Sequence, residues 1–331
     1  MNEFQGRLID IVKDFPKRKI VIVGDAIADR FLYGSISRVS REAPVFILQH
    51  EQTETVPGGA ANCAVNLASL GAEVQLVSVV GNDEAGTELR NKLQNAGVDT
   101  ACLTTVEGLR TTTKVRILAG QTHSSRQQVI RIDYEDTPLT DSNARRTILQ
   151  NLQSRAKEAN AVIVSDYNYG VVDQTAVELL RAVSSSIPVL VDSRFRLESF
   201  VGLTAATPNE DEVEHLLGQS INSSHQLEAV ASELKERLSY KALLVTRGAN
   251  GMMLTETGSA PLHISAIGAA QPVDVTGAGD TVMATFTLAL ASGASFAEAA
   301  HLANYAGGLV VMKRGTASIT LHELEHSVLN S

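Results

Sequence analysis

The chain has 331 residues, enough for one large α/β domain with an appendage or for two small domains. Hydrophobic residues make up 44% and charged residues 20%, an ordinary globular balance that excludes a disordered or collagen-like chain. With 28 Lys and Arg against 37 Asp and Glu the net charge is −9, the wrong sign for a non-specific nucleic-acid or membrane-surface binder.

The first residues carry no basic segment leading into an apolar run, so no secretory leader is expected. A strand is predicted at Lys19–Val23, running into Gly24-Asp25. Phe31–Gly34 and Pro44–Leu48 read as β pieces with no helix between them. A helix over Ala60–Leu70, a strand over Val74–Val80 and a helix over Ala85–Ala96 follow. Thr112–Ala119 and Gln127–Ile132 read as two strands around a Gly120 turn. Alternation then resumes with helix Ser142–Ala159, strand Ala161–Ser165, helix Gln174–Ser184, strand Val189–Val191 and strand Leu203–Thr207. Helix His225–Leu238, strand Ala242–Thr246 and the apolar helix Ala278–Ala291 complete it.

Near-continuous apolar strands mean burial on both faces. Strand–helix alternation predicts a single open, mostly parallel α/β sheet flanked by helices over 1–331, with ligands beyond the carboxyl ends of the strands. The segments that break it, about 31–56 and 111–133, are expected to form a small β-sheet lid; two ordinary surface hairpins would read the same way. Val282–Ala291, the longest apolar stretch, is too short to span a bilayer, so a soluble cytoplasmic protein is expected. Two distant cysteines, Cys63 and Cys102, speak against a disulfide framework or a zinc site.

The strongest chemical signal is Asp274-Val275-Thr276-Gly277-Ala278-Gly279-Asp280-Thr281 at the head of an apolar helix. Gly277 and Gly279 permit a tight turn whose backbone N–H groups face one space at a helix N-terminus, a ready anion hole for a phosphoryl group. Asp280 beside it suits a general base on an attacking hydroxyl, kept ionised by the helix dipole. A capping Asp on a glycine-rich turn would leave the same pattern. Gly58-Gly59 before an earlier helix allow a polyol to approach, and Asn62 in its first turn can donate and accept. No P-loop pattern is present.

Together these two elements resemble the ribokinase-like (PfkB) carbohydrate kinases. Thr246-Arg247-Gly248-Ala249-Asn250-Gly251 is similar to that family's nucleotide loop, and Asn209-Glu210-Asp211-Glu212 to its N-x-x-E element. The resemblance spans essentially the whole chain. Gly24-Asp25-Ala26-Ile27-Ala28-Asp29-Arg30, Ser37–Val45 and Arg131-Ile132-Asp133 look like the heptose 7-phosphate kinases of ADP-heptose synthesis. Two departures bear on the sugar rather than on the kinase. Tyr169 stands where those kinases carry Lys in Asp-Tyr-x-Lys-Gly, and Ser193-Arg194 where they carry Pro-Lys after Asp.

The resemblance implies a sugar held between the sheet and the lid by Asp25, Asp29, Gly58, Gly59 and Asn62. Arg41, Arg116 and Arg131 would hold its phosphate, with Arg38 and Arg126 nearby. It implies ATP across Thr246, Arg247, Gly248 and Gly251, with Asn304 on the adenine side and Arg194 near the phosphates. Asn209 and Glu212 would hold Mg²⁺ through water; a monovalent cation is left open. Asp280 would act as base, with the Gly277, Ala278 and Gly279 amides stabilising the transferred charge. It also implies a homodimer through a lid exposing Val45, Ile47 and Val115, with any nucleotidyl transfer left to another protein. A kinase of neutral sugars or nucleosides, or a silent sensor on the same scaffold, stays open.

Overall fold

A computed structural model of the chain describes residues 2–120, 126–135, 139–268 and 272–330. The described residues form two sheets. The larger takes β1 (Lys19–Gly24), β4 (Glu73–Gly81), β5 (Leu103–Val106), β8 (Ala161–Asp166), β9 (Val189–Ser193), β10 (Ala205–Ala206), β11 (Ala242–Thr246), β12 (Met252–Glu256) and β13 (Leu262–Ile264). Their order is β13-β12-β11-β10-β9-β8-β1-β4-β5. Pairing is parallel except for the β11–β12–β13 edge, which is antiparallel. The smaller sheet takes β2 (Ala26–Val39), β3 (Phe46–Gly59), β6 (Thr113–Gly120) and β7 (Gln127–Tyr134), ordered β3-β2-β6-β7.

Side-chain alternation explains how the large sheet is covered. On β1, Ile20 and Ile22 pack to one face, and Val21 and Val23 to the other. The first face is covered by α1 (Glu3–Lys13), α2 (Ala60–Ser69), α3 (Glu84–Asn95), α8 (Ala278–Ala291), α9 (Phe296–Val310) and α10 (Leu321–Leu329). The second is covered by α4 (Ser142–Ala156), α5 (Gln174–Val183), α6 (Glu210–Leu217) and α7 (Ser224–Arg237). Among the described residues no helix is long and apolar enough to cross a membrane.

The predicted β pieces in 31–56 are parts of two strands of 14 residues each. Their register runs from Ala26↔Gly59 at the base to Val39↔Phe46 at the tip. The polar residues Gln49–Thr55 interrupt the apolar pattern, so the length of the second strand does not show in it. The Gly120 turn leads into residues 121–125, outside the described residues. Every residue of β7 is exposed, including Val129, Ile130, Ile132 and Tyr134. The expected exposed set needs correcting. Val45 is exposed, but Ile47 is half-buried, and Val115, on β6 between β2 and β7, is buried.

Candidate active site

Two helix starts meet at the carboxyl edge of the large sheet. Gly277 caps α8 in the left-handed region, φ 78°, and a Cβ there would lie 2.8 Å from Asn62 Nδ2. Only glycine lets α8 begin this close to α2. Asp280, in the first turn of α8, accepts a hydrogen bond from Asn62 Nδ2 at 2.6 Å. Burial raises the Asp280 carboxyl to about 7; the Asn62 amide pulls it down and the Asp29 charge pushes it up. Asp274 accepts from the amides of Thr276 and Gly315, both at 2.9 Å, and so ties the turn to the segment after α9.

Asp280 opens onto a cavity of about 200 Å³. Its walls are Ile27, Asp29, Gly58, Gly59, Asn62, Lys114, Arg116, Arg131, Tyr167, Arg194, Thr276, Gly277 and Thr316. The smaller sheet and the elements at the edge of the larger one both contribute. Lys114 and Arg116 are two apart on β6 and so share a face, and Arg131 is paired opposite Arg116 on β7. Asp29 is ion-paired with Arg116. Gly58 faces Asp29 so closely that a Cβ there would overlap Asp29 Oδ2. Gly59 has φ 55°, and a Cβ on it would lie 2.6 Å from the Asp25 carbonyl oxygen.

A second cavity of about 420 Å³ lies on the other side of the α8 start. Thr246, Gly248, Ala249, Gly251, Ile267, Val275, Ala278, Gly279, Asn304, Gly308 and Val311 are among its walls. It is largely apolar, as an adenine pocket would be. Ala278 and Gly279 face this cavity, whereas Gly277 and Asp280 face the first. One helical turn is thus the shared wall of both.

Several expected roles change. Asp25 is not a free sugar ligand. Its Oδ2 accepts the amides of Tyr167 (2.8 Å) and Tyr169 (3.2 Å), and its Oδ1 that of Val171 (3.2 Å). It moulds the loop after β8; burial and Asp166 raise its carboxyl to about 6 against those three bonds. Arg41 lies on the exposed segment beyond the lid tip, outside the cavity walls. Arg126 is ion-paired with Glu51 over the Tyr33 ring. Arg194 lines the Asp280 cavity rather than the apolar one. The Arg247 guanidinium turns away to Glu210 at 2.8 Å. Asn304 lines its cavity, but its Nδ2 donates to the Ser265 carbonyl at 2.8 Å, holding the loop after β13. The Ala278 amide is spent on the Val275 carbonyl at 3.2 Å, leaving the Gly277, Gly279 and Asp280 amides without a backbone acceptor among the described residues.

Asn209 and Glu212 form the capping box of α6. Asn209 Oδ1 accepts the Glu212 amide at 2.8 Å, and Glu212 Oε2 accepts the Asn209 amide at 3.0 Å. Asn209 is therefore not a free ligand. Burial raises the Glu212 carboxyl while Arg194 opposes the rise. Glu212 Oε1, a hard oxygen outside the capping bond, suits a Mg²⁺ ion that keeps most of its water and phosphate ligands.

Sequence reasoning missed Lys114, Tyr167 and Thr316. The Lys114-x-Arg116 alternation on a predicted strand was the available signal for the first. The departure at Tyr169 also gains a structural account. Lys114 Nζ donates to Tyr169 Oη at 3.0 Å and to Glu135 Oε1 at 3.1 Å, and Tyr169 donates to Glu135. Burial and Glu135 push the Tyr169 phenol up, while that bond holds the Glu135 carboxyl down.

Residues 17–323 match the pfkB family carbohydrate kinases. The bifunctional protein HldE of Pseudomonas aeruginosa is 40% identical over 315 residues. That match covers 95% of this chain, and the chain spans 64% of the length of that relative. Arabidopsis thaliana ribokinase, solved with ribose and ATP, superposes with a TM-score of 0.72 at 23% identity, covering 95% of this chain and 98% of its own. Escherichia coli phosphofructokinase-2 gives 0.75 at 18% identity with the same coverage. These two likenesses show the fold, and the family match extends over almost the entire described sheet and both cavities. The chain belongs to the pfkB family of carbohydrate kinases.

Proposed function

We propose that this sugar kinase transfers the γ-phosphoryl group of ATP to O1 of D-glycero-β-D-manno-heptose 7-phosphate, a step of ADP-heptose synthesis for the lipopolysaccharide core. The observation that carries this reading is the sharing of one cavity by Asp280 and four cations, Lys114, Arg116, Arg131 and Arg194. A phosphorylated sugar accounts for such a wall; a neutral sugar needs none of it.

The sugar hydroxyl attacks the γ-phosphorus as its proton passes to Asp280. The new O–P bond forms while the bridging O–P bond to ADP breaks. The Gly277 and Gly279 amides receive the negative charge of the transferring group. Glu212, with the nucleotide phosphates and water, would hold Mg²⁺, which would supply neutralisation of the phosphate charge. Asp29, Asn62 and the backbone at Gly58 and Gly59 orient the sugar. The apolar cavity takes the nucleotide base. The protein works in the cytoplasm as a homodimer through the lid, supported by the exposed Val39, Phe46, Val129 and Ile130.

A second reading, a kinase of a neutral sugar or nucleoside, is favoured by one observation. Arg116, Arg131 and Lys114 are already ion-paired with Asp29, Asp133 and Glu135. Among the described residues Arg194 is the wall cation with no ion pair.

ADP release with Mg-ATP against heptose 7-phosphate, sedoheptulose 7-phosphate, fructose phosphates, ribose, fructose and adenosine separates the readings. Turnover on heptose 7-phosphate with none on the unphosphorylated members is expected. Turnover on ribose, fructose or adenosine alone overturns the heptose reading in favour of the second.

A further inference from the structure

Behind Asn62 lies a second buried asparagine. Asn62 and Asn66 are one helical turn apart on α2 and face α8. Asn66 Nδ2 donates to the Asn62 backbone carbonyl at 3.0 Å and to Asn62 Oδ1 at 3.3 Å. Asn66 Oδ1 accepts from Thr281 Oγ1 at 2.7 Å. Thr281 follows Asp280 directly in the first turn of α8. Asn66 and Thr281 are both fully buried. The four side chains Thr281, Asn66, Asn62 and Asp280 form one chain of hydrogen bonds that leaves α8, crosses α2 and returns to α8.

The polarity of this chain is set at Asn66 by the Asn62 backbone carbonyl; the Thr281 hydroxyl, which also lies 3.4 Å from the Gly277 carbonyl, follows it. The Asn62 backbone carbonyl can only accept, so the nitrogen of Asn66 must face it and its oxygen must face Thr281. Held that way, Asn66 presents N–H to Asn62 Oδ1, which forces Asn62 to present its own N–H to Asp280. An unsupported amide could turn its oxygen to the carboxylate and repel it. No water is needed to orient any member, and each donor polarises the next.

We infer that Asn66 and Thr281 are positioning residues, which lock the Asn62 amide with its N–H toward Asp280 and leave Asp280 Oδ1 for the sugar hydroxyl. This rests on the reading of Asp280 as base only for its catalytic consequence. The orientation itself is a property of the four side chains. Other groups act on Asp280 as well. Asp29 on β2, Asp192 on β9, Tyr167 after β8 and Cys63 on α2 couple with it electrostatically, and Lys114, Arg116, Arg131 and Arg194 share its cavity. All of these are retained when Asn66 or Thr281 is replaced, so a change in Asp280 reports on the chain.

The test is the carboxyl titration of Asp280 in ¹³C-aspartate-labelled protein, assigned with Asp280→Asn, beside the pH dependence of kcat/KM. In Asn66→Leu the midpoint of the Asp280 titration is expected to rise by about one unit, since a hydrogen bond to the charged form is lost. The acid limb of kcat/KM should follow it, kcat should fall about tenfold, and the KM for ATP should stay unchanged. Thr281→Val should give a smaller rise in the same direction, and Thr281→Ser should restore the wild-type midpoint. Should Asn66→Leu not fold, the Thr281 pair carries the test. An unmoved midpoint in the folded Asn66 and Thr281→Val proteins overturns the inference, whatever happens to their melting temperatures. A moved midpoint without a moved acid limb supports the locking of Asn62 and instead removes Asp280 as the base.

Discussion

Gly58 on β3 and Asp29 on β2 stand so close across the lid base that any side chain at Gly58 would meet the Asp29 carboxylate. Asp29 is also the ion-pair partner of Arg116. Three neighbouring strands, β3, β2 and β6, therefore bring a glycine, a carboxylate and a guanidinium together in the wall of the Asp280 cavity.

Gly58→Ala should push Asp29 aside rather than unfold the chain, because the overlap is with a side-chain tip. The expected outcome is a sugar KM raised about tenfold or more, on the order of 1.4 kcal/mol, with the ATP KM unchanged. Steady-state kinetics on both substrates check it. An unchanged sugar KM would remove Asp29 from sugar binding.

Asp280→Asn should keep the fold and lower kcat by about 10²–10⁴-fold, the usual share of a general base. In the wild type kcat/KM should rise with pH through about 7, the value to which burial lifts the carboxyl. The same shift fixes the sign of a stability effect. The folded carboxyl binds its proton more tightly than the unfolded one, whose ordinary value is 3.8. That contribution is complete at pH below the unfolded value and is lost as pH rises through about 7. Asparagine has no such loss, so the variant's melting temperature should exceed the wild type's at pH 8 by more than at pH 5. Equal differences at both pH values would show that Asp280 is not raised.

Gly251→Ala tests the other cavity. Gly251 has φ 83°, and a Cβ there would overlap the Ile264 carbonyl. Backbone meets backbone here, so the loop must move. A raised ATP KM, a lowered melting temperature and an unchanged sugar KM are expected, read by kinetics and thermal unfolding. A sugar KM that rose with it would mean that the two cavities do not divide the substrates.

Tyr169→Phe removes the hydroxyl that Lys114 and Glu135 share. Glu135 then keeps Lys114 to itself and withdraws its charge from the cavity. The KM for a phosphorylated sugar should rise about three- to tenfold, within the range of one hydrogen bond to a charged group. A neutral sugar, if turned over, should be unaffected. Equal effects on both would make Tyr169 a structural residue only.

The layered sheet was legible because its strands are apolar on both faces and its helices space apolar residues regularly. The smaller sheet was legible as two breaks in that rhythm, although not as strands of 14 residues, since half of β3 is exposed. The Asp280 turn, Asn62 and Gly58-Gly59 were readable from local chemistry. Asp25 was not, because its three amide partners come from a loop some 140 positions away. Asn209-x-x-Glu212 shows the limit of motif reading most clearly. The spacing that the family resemblance implies as a metal pair is also the signature of a capping box, which takes up the Asn209 side chain oxygen. Arg247 was misplaced for a similar reason: a loop sequence does not say which way its long side chain turns.

In α8 every residue from Asp280 to Ala289 is buried, whereas in β7 every residue is exposed. The Asp280 carboxylate, proposed as the base, is thus anchored in a buried stretch of helix, while Arg131, one of the four cations of its cavity, stands on a fully exposed strand. A designer seeking a new acceptor should vary β6 and β7 and leave the helix alone.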